Sequence, residues 1–221
     1  MNYKSDWIPA DKLNKKDILL LPFDNRTYSI KELDFSFATD APSEYYKVLE
    51  ERTNNRSYKE IESKLSVWPS TAYNWTKGGV PRNHIAVYDG YLKHGSSPSK
   101  TIPSKVKLTK ELLRLIGFYL AEGCSSSNQL AFSFHKKETA YIDEIKSTMR
   151  KIFDLDCYEN KQRNGHTLVY SSIILAKAFK ALFGAGAHNK RLPYLFTRLP
   201  ADKQRHILNA YAQGDGYKID D

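Results

Sequence analysis

Two nine-residue stretches of this sequence match in register: LIGFYLAEG at residues 115–123 and LNAYAQGDG at residues 208–216. Each stretch has two small residues four positions apart: Gly117 and Ala121 in the first, Ala210 and Gly214 in the second. Small residues at this spacing allow two helix backbones to approach each other closely. The repeat therefore predicts two helices that pack through their small faces.

Each stretch also ends with an acidic residue followed by a glycine, Glu122-Gly123 and Asp215-Gly216. A carboxylate at the C-terminal end of a helix is unfavourable because the helix dipole is negative there. If the helices pack as predicted, the two carboxylates meet and repel each other unless a cation lies between them. Oxygen ligands suit Mg²⁺ or Mn²⁺, with the backbone of both glycines nearby, and such an ion can promote phosphodiester hydrolysis. The alternative interpretation is two ordinary buried helices with polar ends.

The hydrophobic pattern around the first stretch predicts a mixed α+β domain. Helical spacing of apolar residues predicts helices at 108–121, 138–153, 173–183 and 202–214. Strict alternation predicts a half-buried strand at 129–135, and the Asn164-Gly165 pair predicts a hairpin. This order favours an antiparallel sheet with helices on one face.

A second motif lies nearer the N-terminus. Ser57 and Glu60 form a capping box, and Pro69 suits the first position of another helix. The pair of helices is similar to the helix-turn-helix of DNA-binding proteins, whose second helix enters the major groove. The outward residues of that second helix are Ser70, Thr71, Tyr73, Asn74 and Lys77. The alternative is a packing element with a solvated outer face.

Composition limits the class of protein. The 221 residues carry a formal charge of +9, of which residues 101–221, with 19 Lys and Arg against 12 Asp and Glu, carry +7. That excess points to a polyanionic partner, and two cysteines are too few for a disulfide scaffold. Neither a signal peptide nor a long apolar run is apparent, so we expect a cytoplasmic protein without a membrane partner. The predicted divisions are a short β-rich segment at 1–50, a helix-turn-helix domain at 51–95, a linker at 96–106 and the α+β domain at 107–221.

The paired stretches resemble the two motifs of the LAGLIDADG homing endonucleases of the intein-associated type. The resemblance implies an αββαββα half-domain followed by the start of the second motif helix, with Glu122 and Asp215 as catalytic metal ligands. It also implies double-stranded DNA as the partner and hydrolysis as the reaction. Lys190-Arg191-Leu192-Pro193 is similar to a family segment whose lysine acts in catalysis, which makes Lys190 a candidate. From the residues alone, a surface lysine near a phosphate is an equal alternative.

In this family the open face of the sheet lies along DNA, which implies a set of contact residues. They are Gln129, Ser133, His135 and Lys136 on the first strand and its end, with Lys161, Arg163 and His166 from the hairpin. Basic side chains suit phosphates and glutamine can read base edges. An ordinary solvated face is the alternative.

Two features of the resemblance concern the ends of the sequence. Trp7–Leu13 and Asp17–Leu19 resemble a strand region of intein splicing domains, while only five residues follow Gly216. The resemblance therefore implies that a second half lies beyond residue 221 or comes from another chain. Three functions stay open: an endonuclease of a mobile element, a non-cleaving DNA-binding regulator or RNA maturase, and an inactive intein remnant.

Overall fold

The computed structural model describes residues 29–95 and 100–215 and has a mixed α+β fold. The intein-like strand region at residues 7–19 lies outside these ranges. The helices are α1 (Ser43–Thr53), α2 (Tyr58–Leu65), α3 (Pro69–Thr76), α4 (Lys110–Glu122), α5 (Thr139–Phe153), α6 (Ile173–Phe183), α7 (Tyr194–Thr197) and α8 (Ala201–Asp215). The strands are β1 (Glu32–Asp34), β2 (Ile85–Tyr88), β3 (Tyr91–His94), β4 (Ile102–Pro103), β5 (Lys105–Lys107), β6 (Gly123–Ser125), β7 (Gln129–His135), β8 (Tyr158–Lys161) and β9 (Gly165–Ser171).

The largest sheet is antiparallel, has the strand order β6-β7-β9-β8, and is covered on one face by helices. Phe132 and Phe134 of β7 are buried on that face. The ring of Tyr119 in α4 lies 6.3 Å from Phe132 and 5.1 Å from Phe179 in α6. The opposite face, which includes Ser133, is exposed. The predicted antiparallel sheet with helices on one face is therefore confirmed.

The apolar residues form two separate clusters. The main core joins the sheet, helices α4, α5, α6 and α8, and the small strands. The smaller cluster, called here the helical cluster, consists of Val48, Ile61, Val67 and Ala72 from α1 to α3. The helix-turn-helix therefore has an apolar centre of its own, as separate packing units do.

Several predicted boundaries differ from the structure. Residues 85–94, expected to be helical, form the β2–β3 hairpin, because Asp89 and Gly90 both adopt positive φ in its turn. Ile85 and Leu92 of this hairpin belong to the main core, so the hairpin is not part of the helical cluster. Helix α1 begins at Ser43, inside the segment predicted to be β-rich.

The predicted linker at 96–106 is wrong over its described part. Strand β4 pairs with β3, and β5 pairs with β1. Ile102 and Val106 are buried in the main core and hold these two strands against it. Small polar and proline residues dominate the composition here and obscured two short strands with one buried side chain each.

Candidate functional site

Helices α4 and α8 are in close contact along their small residues. A Cβ atom added at Gly117 would lie 2.3 Å from the carbonyl oxygen of Ile207 and 2.7 Å from the Cβ of Ala210. One turn further along, a Cβ atom at Gly214 would lie 2.7 Å from the Cβ of Ala121. The structure thus brings together the four predicted small residues. Because the contacts follow the same order along both helices, the helices run in the same direction.

The C-terminal ends of α4 and α8 carry the two predicted acids, Glu122 and Asp215. The Cβ position at Gly214 lies 3.1 Å from Cγ of Glu122, and Asp215 follows directly. Burial raises the pKa of the Glu122 carboxyl above its ordinary value. The charges of Glu138 and Asp215 raise that pKa further. The two carboxylates therefore repel each other across the helix interface.

Lys190, in the segment between α6 and α7, lies close enough to these two carboxylates to interact with them electrostatically. Its Nζ donates a hydrogen bond to the backbone oxygen of Ala121 at 3.1 Å and lies 5.7 Å from the centre of the Tyr119 ring. Burial lowers the pKa of the half-buried Lys190 ammonium, against the raising effect of the acidic groups around it, Glu122 and Asp215 among them. Thus a lysine 68 residues away in sequence from Glu122 joins the same site.

The donor set of the site fits a magnesium ion that is shared with a substrate. Among residues 29–95 and 100–215, no group of three or more His, Cys, Asp and Glu residues lies close enough to hold a metal by itself. Mg²⁺ commonly takes one or two protein carboxylates and completes its shell with water and substrate phosphates. Glu122 and Asp215 supply that number of carboxylates. The Gly123 amide donates to the Tyr119 oxygen at the end of α4, so a backbone ligand from Gly123 would be its carbonyl oxygen. Gly216 lies outside the described ranges.

Two neighbours of the site were missed by sequence reasoning. Glu138 follows β7, accepts a hydrogen bond from the His135 amide at 2.6 Å, and contributes to the raised pKa of Glu122. Cys124 lies on β6 opposite Ala131 and is exposed. Both positions depend on the pairing of β6 with β7, and a three-residue strand such as β6 leaves no alternating pattern to detect.

The open face of the sheet carries most of the predicted contact residues. Gln129, Ser133 and His135 alternate with buried residues along β7 and are exposed. Ser133 Oγ lies 3.0 Å from Oγ1 of Thr167 on β9, which extends this polar face to the next strand. Of the other four, Lys136 and Arg163 are exposed at the end of β7 and in the β8–β9 turn.

The placement of Lys161 and His166 on the open face is wrong. Lys161 pairs with His166, and His166 pairs with Phe134, whose side chain is buried under the helices. Because side chains at paired positions share one face of a sheet, both residues belong to the helix-covered side. Both also contact Glu159, at 3.5 Å from Lys161 and 2.8 Å from His166.

The helix-turn-helix forms as predicted. Ser57 and Glu60 make the reciprocal hydrogen bonds of a capping box, and Pro69 is the first residue of α3. Ala72 faces inward, and Trp75 packs with its ring 5.4 Å from that of Tyr45. On the outer side, Ser70, Tyr73, Asn74 and Lys77 are exposed and Thr71 is partly exposed. The predicted residues of α3 are therefore accessible to a partner.

In the part of the chain that the structure describes, no helix combines the length and apolar character needed to cross a membrane.

No family model matches the chain. Curated relatives include an uncharacterized protein of Methanocaldococcus jannaschii, 34% identical over 52% of this chain and 15% of that protein. An iron-sulfur cluster assembly SufBD family protein of Mycobacterium tuberculosis is 31% identical over 53% of this chain and 14% of its own length. The DNA polymerase II large subunit of Thermococcus kodakarensis is 36% identical over 48% of this chain and 6% of its own length. The chain thus covers less than a sixth of each of these proteins.

Proposed function

We propose that this chain belongs to a site-specific double-strand DNA endonuclease of the LAGLIDADG type that hydrolyses phosphodiester bonds with Mg²⁺ or Mn²⁺. The observation that carries the proposal is the close packing of α4 on α8, which puts Glu122, Asp215 and Lys190 in mutual electrostatic contact. Two carboxylates and one cation at a helix interface are a suitable set of groups for metal-assisted hydrolysis.

The order of elements supports the proposal. From α4 onward the chain runs α4-β6-β7-α5-β8-β9-α6, which agrees with the αββαββα half-domain that the resemblance implies. Helix α8, which ends at the second acid, follows that half-domain. The sheet leaves one polar face uncovered, as a DNA-binding saddle requires.

Each residue of the site has a distinct task in this proposal. The carboxylates of Glu122 and Asp215 would hold the ion beside the scissile phosphate. A bound divalent ion supplies positive charge that stabilises the leaving oxygen and favours ionisation of water. Lys190, whose ammonium interacts electrostatically with both carboxylates, would neutralise charge that develops on the phosphate. Burial of Lys190 strengthens this effect because the local dielectric is lower than in water.

The pattern of relatives also supports the proposal. Segments of 114–124 residues align with an iron-sulfur cluster assembly SufBD family protein and with a DNA polymerase II large subunit, whose names describe unrelated activities. A segment that recurs within unrelated proteins, and forms a small part of each, behaves as an inserted element. An intein-borne endonuclease of a mobile element is such a segment.

The test is cleavage of a DNA duplex that carries the empty insertion site, which is the sequence of the host gene without the mobile element. The chain, together with the second half that the resemblance implies, is incubated with that DNA with and without Mg²⁺, beside the Glu122→Gln and Asp215→Asn variants. Asp143→Asn, at an exposed position of α5, is the matched control. We expect metal-dependent double-strand cutting that each site variant abolishes and the control retains. Undiminished cutting by the site variants would refute the metal assignment.

A second candidate function is specific DNA binding without cleavage, as in a regulator. The exposed polar side of α3 favours it, because that surface needs no metal to act. Specific binding without cutting in the presence of any divalent metal would identify this function.

A further inference from the structure

Trp68 occupies a position that helix stability does not explain. It is the N-cap residue of α3, and its side chain makes no capping hydrogen bond. Serine, threonine, aspartate and asparagine stabilise this position because their oxygens accept from free amides of the first turn. The sequence instead has an indole here, and 73% of Trp68 is exposed. A local rule broken without a structural gain is a sign of a functional position.

The Trp68 side chain also takes no part in the packing of the turn between α2 and α3. Val67, the preceding residue, and Ala72, in the next turn of α3, are both buried in the helical cluster. This pair makes the apolar contact that commonly fixes the entry of a chain into a helix. Over residues 29–95 and 100–215, no side-chain hydrogen bond or ring contact of Trp68 is found. The indole is therefore available to a partner.

The surroundings of Trp68 favour DNA over a protein partner. Lys64, Ser66 and Ser70, which lie close to Trp68 in sequence, are exposed and polar, and within residues 64–72 Trp68 is the one large hydrophobic residue that is exposed. A stable protein interface needs roughly 800 Å² on each partner, and one indole supplies about a quarter of that area. A single apolar side chain among polar ones suits a small apolar group in a polar groove. The C5-methyl group of thymine is such a group in the major groove.

We propose that Trp68 is a sequence-reading residue whose indole packs against the methyl group of a thymine, next to the bases that α3 contacts. The proposal rests on the entry of α3 into DNA and goes beyond it by assigning a base preference to a residue outside the polar face of the helix. The geometry agrees, since the N-terminal residues of a recognition helix lie nearest the base edges.

The experiment is selection of binding sequences from a library of randomised DNA duplexes, performed with the unaltered chain and with Trp68→Ser. Serine restores a capping oxygen at this position, so the variant folds with a midpoint of thermal unfolding that is equal or higher. We expect the unaltered chain to enrich a thymine at one position of its motif. Trp68→Ser should lose that preference and keep the rest of the motif.

A second measurement replaces the selected thymine by uracil, which removes only the methyl group. We expect the affinity of the unaltered chain to fall about fourfold, the effect of one buried methyl group, and that of Trp68→Ser to stay the same. Lys77→Gln is the control for electrostatic contact: it should weaken binding to all sequences and reduce the salt dependence, which Trp68→Ser leaves unchanged.

The outcomes separate this proposal from the function on which it rests. An identical motif for both proteins, or an equal response to uracil, would overturn the role of Trp68 and leave DNA recognition by α3 intact. Failure of the unaltered chain to enrich any sequence would refute recognition by α3 and the role of Trp68 together.

Discussion

The contact between α4 and α8 can be tested by adding one methyl group at Gly117. In Gly117→Ala the new Cβ would lie 2.3 Å from the Ile207 carbonyl oxygen, whereas ordinary contacts begin near 3.4 Å. The helices must therefore separate by about 1.1 Å, since a backbone oxygen cannot rotate away. Overpacking of this kind costs about 1–3 kcal/mol, and the better helix propensity of alanine returns about 1 kcal/mol. We expect a net loss of up to about 2 kcal/mol in the free energy of unfolding.

Urea unfolding followed by circular dichroism measures this loss. Gly214→Ala provides a graded comparison, because its new Cβ would meet the Ala121 methyl at 2.7 Å and the flexible Glu122 side chain at 3.1 Å. We expect a smaller loss there than at Gly117. Gly165→Ala is the control, because its new Cβ would lie 4.0 Å from the Phe134 oxygen, an ordinary contact, and its stability should change little.

The sign of the change in the free energy of unfolding of Gly117→Ala shows whether α4 packs closely on α8. If α4 were a helix without a close neighbour at this point, helix propensity alone would stabilise Gly117→Ala by about 1 kcal/mol. A stabilised variant would therefore refute the packing of the two helices. A destabilised variant that also loses cleavage would link the helix separation to the positions of Glu122 and Asp215.

Three further variants test other parts of the chain. Lys190→Met keeps the aliphatic stem and removes the charge, so single-turnover cleavage should fall about 100-fold with DNA affinity nearly unchanged; equal cleavage would exclude Lys190 from catalysis. Ser57→Ala removes the oxygen that accepts from the Glu60 amide at 3.3 Å, and thermal unfolding should report a loss of about 1 kcal/mol, while no loss would mean that the cap is frayed in solution. The hydrogen bond from Lys146 lowers the pKa of Glu159 from 4.5 to about 2. The stability that this pair provides is present above pH 4.5 and is lost as the pH falls towards 2, so Glu159→Gln should cost about 1 kcal/mol at pH 7 and nothing at pH 2, and a pH-independent cost would contradict the assignment.

Much of the fold could be predicted where the apolar residues keep one helical or strand spacing over the whole length of an element. The strand at 129–135 and the helix at 173–183 have the predicted bounds because their apolar residues repeat without interruption. The β2–β3 hairpin was not predicted although Asp89-Gly90 is a turn signal, because its strands are only four residues long and follow two helices directly. The three-residue strand β6 is too short to show a period at all.

The residues of the candidate site also differ in how far the sequence predicts them. Glu122 and Asp215 could be paired from the sequence because the small residues beside them fix how two helices approach. Glu138 could not, because its proximity depends on the register of β6 against β7. The predicted face of Lys161 was wrong because that face depends on the pairing of Lys161 with His166 across the β8–β9 hairpin. The alternation within β8 alone does not show this pairing.

The hairpin missed by sequence reasoning also connects the two parts of the molecule. Tyr88 donates a hydrogen bond to the Thr76 oxygen at 3.0 Å, and Lys93 reaches the Gly78 oxygen at 3.4 Å, so both bind the C-terminal end of α3. Ile85, on the same hairpin, is buried in the main core. Helix α3 is therefore connected to the main core through this hairpin. If α3 and the sheet both bind DNA, this connection sets the spacing of their binding sites along one duplex, and specificity then depends on the hairpin as well as on the contacting side chains.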